Sequence, residues 1–271
     1  MKGRVFPEGP EGIGREPVTR DLFAVLERVG AALERAGEDR GGSQRPDLGT
    51  LTPEERLSLV TLLGEGEISG TVRPWAGEEG EILYLRESIH PGIWLMGVRP
   101  ERDGGVRLTH IEVGRAPGIL VQTPSSSPLL ESGGLAPDDP EADRLRPGLM
   151  NALPLLQEAA HHLADHSPDR KNHRIFLNKL PLSEEDSRWI DRVCAGGRIA
   201  LSSKGYGDCQ VLSTGFPGLW RVLYKNPEGV PLLDALSVAA IPDEVAAAPE
   251  DLSQSLADYR NFLEWVARDL S

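Results

Sequence analysis

His90-Pro-Gly-Ile-Trp94 and Phe216-Pro-Gly-Leu-Trp220 are one turn-and-strand entry written twice, 126 residues apart. Upstream, Leu51-Thr-Pro-Glu-Glu55 returns as Leu182-Ser-Glu-Glu-Asp186 at an offset of 131, which also carries Gly66 onto Gly197, Ile68 onto Ile199 and Trp75 onto Tyr206. Downstream, Val113 falls on Val238 and Pro117 on Pro242 at an offset of 125. The first copy therefore holds five extra residues, most simply Ala76-Gly-Glu-Glu-Gly80, and insertions of that size belong in surface turns. Self-similarity in a constant order is the mark of a repeated unit, here about 100 residues long.

Each copy opens with a helix. Leu22, Val25, Leu26, Val29 and Leu33 fall at helical spacing, and so do Leu153, Leu156, Ala160 and Leu163, with Pro154 tolerable only in the first turn. The second helix of each copy is announced by a capping box, Thr52 with Glu55 and Ser183 with Asp186. The connectors between the two helices differ: 38–50 is polar and Gly-rich, whereas Arg174 to Leu180 predicts a short strand. After the second helix the period changes to two. Trp94, Met96 and Val98 alternate on one face, as do Trp220, Val222 and Tyr224, which predicts half-buried strands. With Glu67 to Arg73, Ile82 to Ser88, Arg107 to Val113 and their equivalents, each unit becomes two helices followed by about four consecutive strands. Short links favour antiparallel pairing. The predicted fold is α+β: an internal duplication of a helix-helix-antiparallel-sheet unit, plus a C-terminal amphipathic helix.

The predicted organisation is a mobile tail over 1–17, a first repeat domain over 18–117, a linker over 118–148, a second repeat domain over 149–246 and a helix over 247–271. The linker is rich in Pro, Ser, Gly and Asp. The terminal helix carries Leu252, Leu256, Tyr259, Leu263, Val266 and Leu270 as one stripe, expected to dock on its own domain or to form a seam for a partner.

Charge and composition exclude several classes. Forty-two acidic against 29 basic side chains leave a net charge of −13, which provides no footprint for phosphate and favours a basic polypeptide partner. Two cysteines make no disulfide framework and fit a reducing compartment. Neither an export signal nor a membrane span is expected, so the protein is predicted to be cytoplasmic.

Few constellations carry chemistry, and neither a catalytic residue nor a cofactor is predicted, so the chain is not expected to be an enzyme. His161, His162, Asp165 and His166 form a cluster, with His173 nearby. His162 and His166 stand four apart on one helical face, and His162-Leu-Ala-Asp-His166 departs from the inverted zincin pattern by Asp in place of Glu, with no evident third ligand. The alternative is that imidazolium is favoured there by the helix C-terminus. Cys194 reads as core. Cys209 follows Gly205-Tyr-Gly-Asp208, a turn expected to expose it, which makes it a candidate ligand for iron–sulfur or thiol chemistry beside the two histidines. Gly64-Glu-Gly-Glu67 and that second turn are glycine-rich, but their carboxylates would repel phosphate. They read as tight turns into strands, with Glu65, Glu67, Tyr206, Asp208 and Cys209 as candidate contacts to a partner.

Leu63-Gly-Glu-Gly-Glu-Ile-Ser69, His90 to Trp94, Met150-Asn-Ala-Leu-Pro154, Gly205 to Asp208, Thr214-Gly-Phe-Pro-Gly-Leu-Trp-Arg-Val222 and Ile241-Pro-Asp-Glu-Val-Ala-Ala-Ala-Pro-Glu-Asp251 together resemble the hydrogenase expression/formation proteins labelled HupH, HyaF or HoxQ. The resemblance runs from about residue 50 to the C-terminus. It implies an accessory protein for maturation of an uptake [NiFe]-hydrogenase, and with the acidic charge and the lack of catalytic constellations the expected role is that of a chaperone. The implied partner is the iron–sulfur small-subunit precursor before twin-arginine export, with other accessory proteins as further partners. It implies no catalytic triad and no agreed cofactor; iron or iron–sulfur handling in the same pathway is the alternative.

Overall fold

The computed structural model describes residues 18–38, 42–75, 77–99, 105–124, 146–167, 171–204 and 208–269. The predicted tail, most of the predicted linker, Ala76 and Tyr206 lie outside the described residues. The chain divides into two compact units. One comprises the residues up to Leu120 together with those from Ala246 onward, the other Val121–Val245. Both are α+β, with antiparallel sheets.

In the first unit, α1 (Arg20–Glu38) is followed by α2 (Pro53–Leu63) and by β1 (Ile68–Val72), β2 (Leu83–Glu87), β3 (Ile93–Val98) and β4 (Arg107–Val113). The strands form a meander in the order β4-β3-β2-β1. Thr52 accepts from the Glu55 N–H at 3.2 Å while the Glu55 carboxylate accepts from the Thr52 N–H at 2.8 Å, so two orphan donors are satisfied at the helix start. The α1 stripe, Leu22, Val25, Leu26, Val29 and Leu33, is buried against Ile93, Leu95, Ile111 and Val113 of the sheet. Each such side chain contributes on the order of 1.5–3 kcal/mol.

The second unit repeats that order as α3 (Ala152–Ala164), β5 (His173–Phe176), α4 (Glu184–Val193), β6 (Ile199–Ser203), β7 (Asp208–Ser213), β8 (Leu219–Lys225) and β9 (Pro231–Val238). Its sheet order is β6-β7-β8-β9-β5. Pro154 falls in the first turn of α3, where its missing N–H costs no intrahelical bond. The predicted strand at 174–180 is shorter and earlier: β5 pairs with β9 over four residues, then a 3₁₀ turn, Leu177–Lys179, ends it. At the corresponding place the first unit makes only the single bridge Gln44↔Val113, as its polar, Gly-rich connector allows.

Two expectations are corrected. β3 is not half-buried, because every residue from Ile93 to Gly97 is inside: Ile93 and Leu95 face the helices, and the alternating Trp94 and Met96 are buried on the other face. The C-terminal helix α5 (Pro249–Asp269) completes the first unit, although it follows the second in sequence. Leu252, Tyr259 and Val266 are buried in the first unit's core, and the Tyr259 hydroxyl donates to the Leu26 carbonyl at 3.0 Å. Gly30 permits this approach, since a Cβ there would lie 3.1 Å from the Tyr259 ring.

Candidate functional site

The Pro-Gly turns before β3 and β8 are built alike. Gly92 and Gly218 sit at φ 87° and 83°, a conformation L side chains rarely adopt. Ser88 and Thr214 each donate a hydroxyl to the carbonyl two residues on, His90 and Phe216, and accept that same residue's N–H. The turns deliver Trp94 and Trp220 into full burial, with each indole N–H donating to a backbone carbonyl, Gly114 at 3.2 Å and Ala239 at 3.0 Å. Neither tryptophan lines an open groove.

The cross-strand neighbours of the two tryptophans differ. Trp94 lies between Glu87 and Glu112, Trp220 between Ser213 and Ser237. Burial pushes the Glu87 carboxyl up to about 7; the Gly92 N–H bond opposes this, and the Glu67 and Asp251 carboxylates add to it. Burial also raises Glu112, but hydrogen bonds from His110, Ser43 and the Gly118 N–H, with the charge of Arg45, outweigh it and hold that carboxyl at about 2.

The two glycine-acid turns occupy different corners of their units. Gly64 to Glu67 joins α2 to β1, and the Gly66 N–H donates to the Glu87 carbonyl at 2.9 Å. Glu65 and Glu67 are exposed there, with Glu65 3.8 Å from Arg86. Asp208 instead opens β7 and is also exposed, while Gly205 to Gly207 lie outside the described residues. The sequence likeness of the two turns is one of glycine content and not of place.

Cys209 is not in an exposed turn. It is the second residue of β7, 2% exposed and paired with Tyr224, and burial raises its thiol pKa, so the thiolate that metal chemistry needs is disfavoured. Cys194 caps the end of α4 against the second unit's core, and burial pushes its thiol up to about 12.

The histidines are also rearranged. α3 ends at Ala164 with Asp165 as its C-cap, so His166 lies beyond the helix and does not share a helical face with His162. His162 stacks instead on His173, the first residue of β5, with ring centroids 3.4 Å apart and planes 16° from parallel. His173 Nε2 lies 2.8 Å from the carboxylate of Glu158, one turn before His162 on α3. Burial lowers the His162 pKa, and the neighbouring His173 adds to that effect. One potential ligand atom each from Glu158, His162 and His173 lies within 4.8 Å of the others. His173 stands near the cluster in sequence, but spacing does not show it as the third ligand, since the β5–β9 pairing is what sets it beside His162.

Asp186 is a further residue whose role exceeds its motif. Besides closing its own capping box, it accepts the N–H groups of Met150, Asn151 and Ala152 on one oxygen at 2.9–3.0 Å, tying the start of α3 to the start of α4. Burial raises its pKa, but these backbone donors outweigh it, and the carboxyl titrates below its ordinary value.

Fold and surface thus define an acidic protein of two α+β units, and among the described residues no helix is long and apolar enough to cross a membrane. The C-terminal conserved region of the HupH hydrogenase expression proteins matches residues 149–266. The chain is 35% identical to the hydrogenase-1 operon protein HyaF of Escherichia coli K12, over 91% of this chain and 81% of that protein. It is 31% identical to the hydrogenase expression/formation protein HoxQ of Cupriavidus necator H16, over 90% of this chain and 80% of that one. A solved structure, the hydrogenase expression protein HupH from Thiobacillus denitrificans ATCC 25259, aligns over 41% of this chain and 92% of its own at 30% identity, with a TM-score of 0.38. The chain belongs to the HupH/HyaF/HoxQ family of hydrogenase expression/formation proteins.

Proposed function

We propose that this protein is an accessory chaperone of [NiFe]-hydrogenase maturation that holds the iron–sulfur small-subunit precursor in the cytoplasm before twin-arginine export. It acts by binding and not by catalysis. The observation that carries this reading is membership of a family whose members are named for hydrogenase expression and formation. The net charge of −13, with Glu65, Glu67 and Asp208 exposed, supports it by favouring encounter with a segment bearing paired arginines. Other hydrogenase accessory proteins are the further partners proposed.

We also propose that the two units descend from one duplicated segment. The shared order of helices and strands, the paired capping boxes and the matching Pro-Gly-Trp turns support that descent. The alternative function, iron or iron–sulfur handling, is favoured by the Glu158, His162 and His173 cluster and disfavoured by the burial of Cys209.

Co-purification with tagged precursor, with and without its signal segment and across a salt series, tests the chaperone reading. Capture is expected to weaken when the signal is removed or salt is raised, because fields between exposed charges are screened over about 10 Å at 0.1 M. Apolar contacts are expected to retain part of the complex at high salt. Capture of the mature large subunit only, or of neither subunit, would sink the assignment.

A further inference from the structure

We infer that Glu158, His162 and His173 form a binding site for one divalent transition-metal cation on the second unit. The donor set is two imidazoles and one carboxylate, the N/N/O combination that suits zinc and its first-row neighbours and leaves coordination positions for water. The geometry is nearly assembled. Ligand atoms around an ion held at about 2.0–2.2 Å lie about 3–3.5 Å apart; the His173–Glu158 separation of 2.8 Å is a hydrogen-bond distance slightly shorter than such an edge, so the pair parts only a little when an ion replaces the shared proton. The remaining atoms, within 4.8 Å, need only side-chain rotation to converge.

The scaffold fixes the directions of approach. Glu158 and His162 are one helical turn apart, so they project from the same face of α3. His173 is held opposite them by backbone pairing to Val238 on β9. All three side chains are partly exposed, which gives an ion a path in from solvent. His162 and His173 stack at 3.4 Å with planes 16° from parallel, so rotation of one ring about its side-chain bonds is what turns both in-plane lone pairs toward a single ion. The competing account is purely structural: a Glu–His hydrogen bond under a ring stack. That account gives no role to a cation.

The experiment uses the full chain made without a polyhistidine tag and stripped with a chelator. Titration with zinc is followed by calorimetry, and titration with cobalt(II) by its visible absorption, which reports the ligand field directly. The expected result is one equivalent of either ion, with affinity falling at least tenfold in His162→Gln and in His173→Gln and unchanged in His161→Gln and His166→Gln. Glu158→Gln is expected to weaken binding and to alter the cobalt spectrum. Circular dichroism of each variant separates loss of the site from loss of the fold, and the glutamine replacements keep side-chain bulk near α3 and β5. Binding at well under one equivalent by the folded wild type, or undiminished binding by both folded His162→Gln and His173→Gln, would overturn the inference. Because no precursor is present, these outcomes are independent of the chaperone test.

Discussion

The two units distribute their charges differently over strands of like order. Arg86 and Leu95 stand opposite one another on β2 and β3 of the first unit, Leu212 and Arg221 on β7 and β8 of the second: one arginine and one leucine, exchanged. Arg86 donates to the Val60 carbonyl, while Arg221 makes a two-pronged contact with Asp234 at 2.7 Å and reaches Asp191 at 2.6 Å. Around the tryptophans the trade runs the other way, with two buried glutamates in the first unit and two serines in the second. The Gly92 N–H is accepted by Glu87, and the Gly218 N–H by the neutral amide of Gln122. Strands, caps and turns of like order thus tolerate relocation of charge: the buried Glu87 and Glu112 carboxylates each keep a hydrogen-bond donor, whereas the neutral Ser237 hydroxyl is buried without a hydrogen-bond partner.

The most severe way to break the comparison is removal of the indoles. Trp94→Ala and Trp220→Ala are each expected to cost about 3–5 kcal/mol in denaturant unfolding, because both create a large cavity and free a buried carbonyl. Equal losses would support equivalence of the two strands. A loss below about 1 kcal/mol at either position would show that burial there does not carry the stability assigned to it.

Next comes pH. The folded state holds the Glu87 proton more tightly than the unfolded chain, so its contribution is full below about 4.5 and disappears as pH rises through about 7. The wild type should therefore lose about 3 kcal/mol more than Glu87→Gln between pH 4.5 and pH 8, by the linkage of pKa to stability. Parallel loss in the two proteins would assign that titration to another group. Glu112 behaves oppositely: its contribution is present above about 4.5 and is lost as pH falls toward 2. Ser213 and Ser237 carry no such dependence at the matching positions of the second unit.

A smaller effect separates the helix starts. Asp186→Ala is expected to cost on the order of 2 kcal/mol, since four backbone donors lose their acceptor. Glu55→Ala should cost less, because Glu55 is half-buried and reaches the start of α1 through the hydroxyl of Thr19 and not through backbone donors. Hydrogen exchange at 150–155 in the Asp186 variant would locate the loss; unchanged protection there would refute the tie between the helices. The smallest change is Tyr259→Phe, about 1 kcal/mol for one buried hydrogen bond. Its effect is expected in the exchange of α1 and α5, and a loss confined to 150–240 instead would contradict the helix's membership of the first unit.

Local rules made much of this legible in advance. Thr52, Glu55, Ser183 and Asp186 declared their helix starts because a capping box is satisfied within four residues. The strands after them were readable from period two, and the Pro-Gly turns from the conformation glycine permits. The candidate site was less legible. His162 was visible, but His166 was the wrong companion, because the helix stops at Ala164 and the true neighbours are Glu158 and a histidine on a strand. Cys209 lies inside and not in an exposed turn, because β7 begins at Asp208 and the alternation of the strand turns its second residue inward.

Sequence by itself determined the α+β class, the order of elements, the caps and the acidic surface, since each depends on neighbours along the chain or on simple sums of residue types. Only tertiary structure decided that α5 completes the first unit, that β3 is buried on both faces, and that Glu158, His162 and His173 meet. Those outcomes depend on contacts between residues far apart in sequence, and an apolar stripe or a ring nitrogen specifies what it needs without specifying which distant partner supplies it.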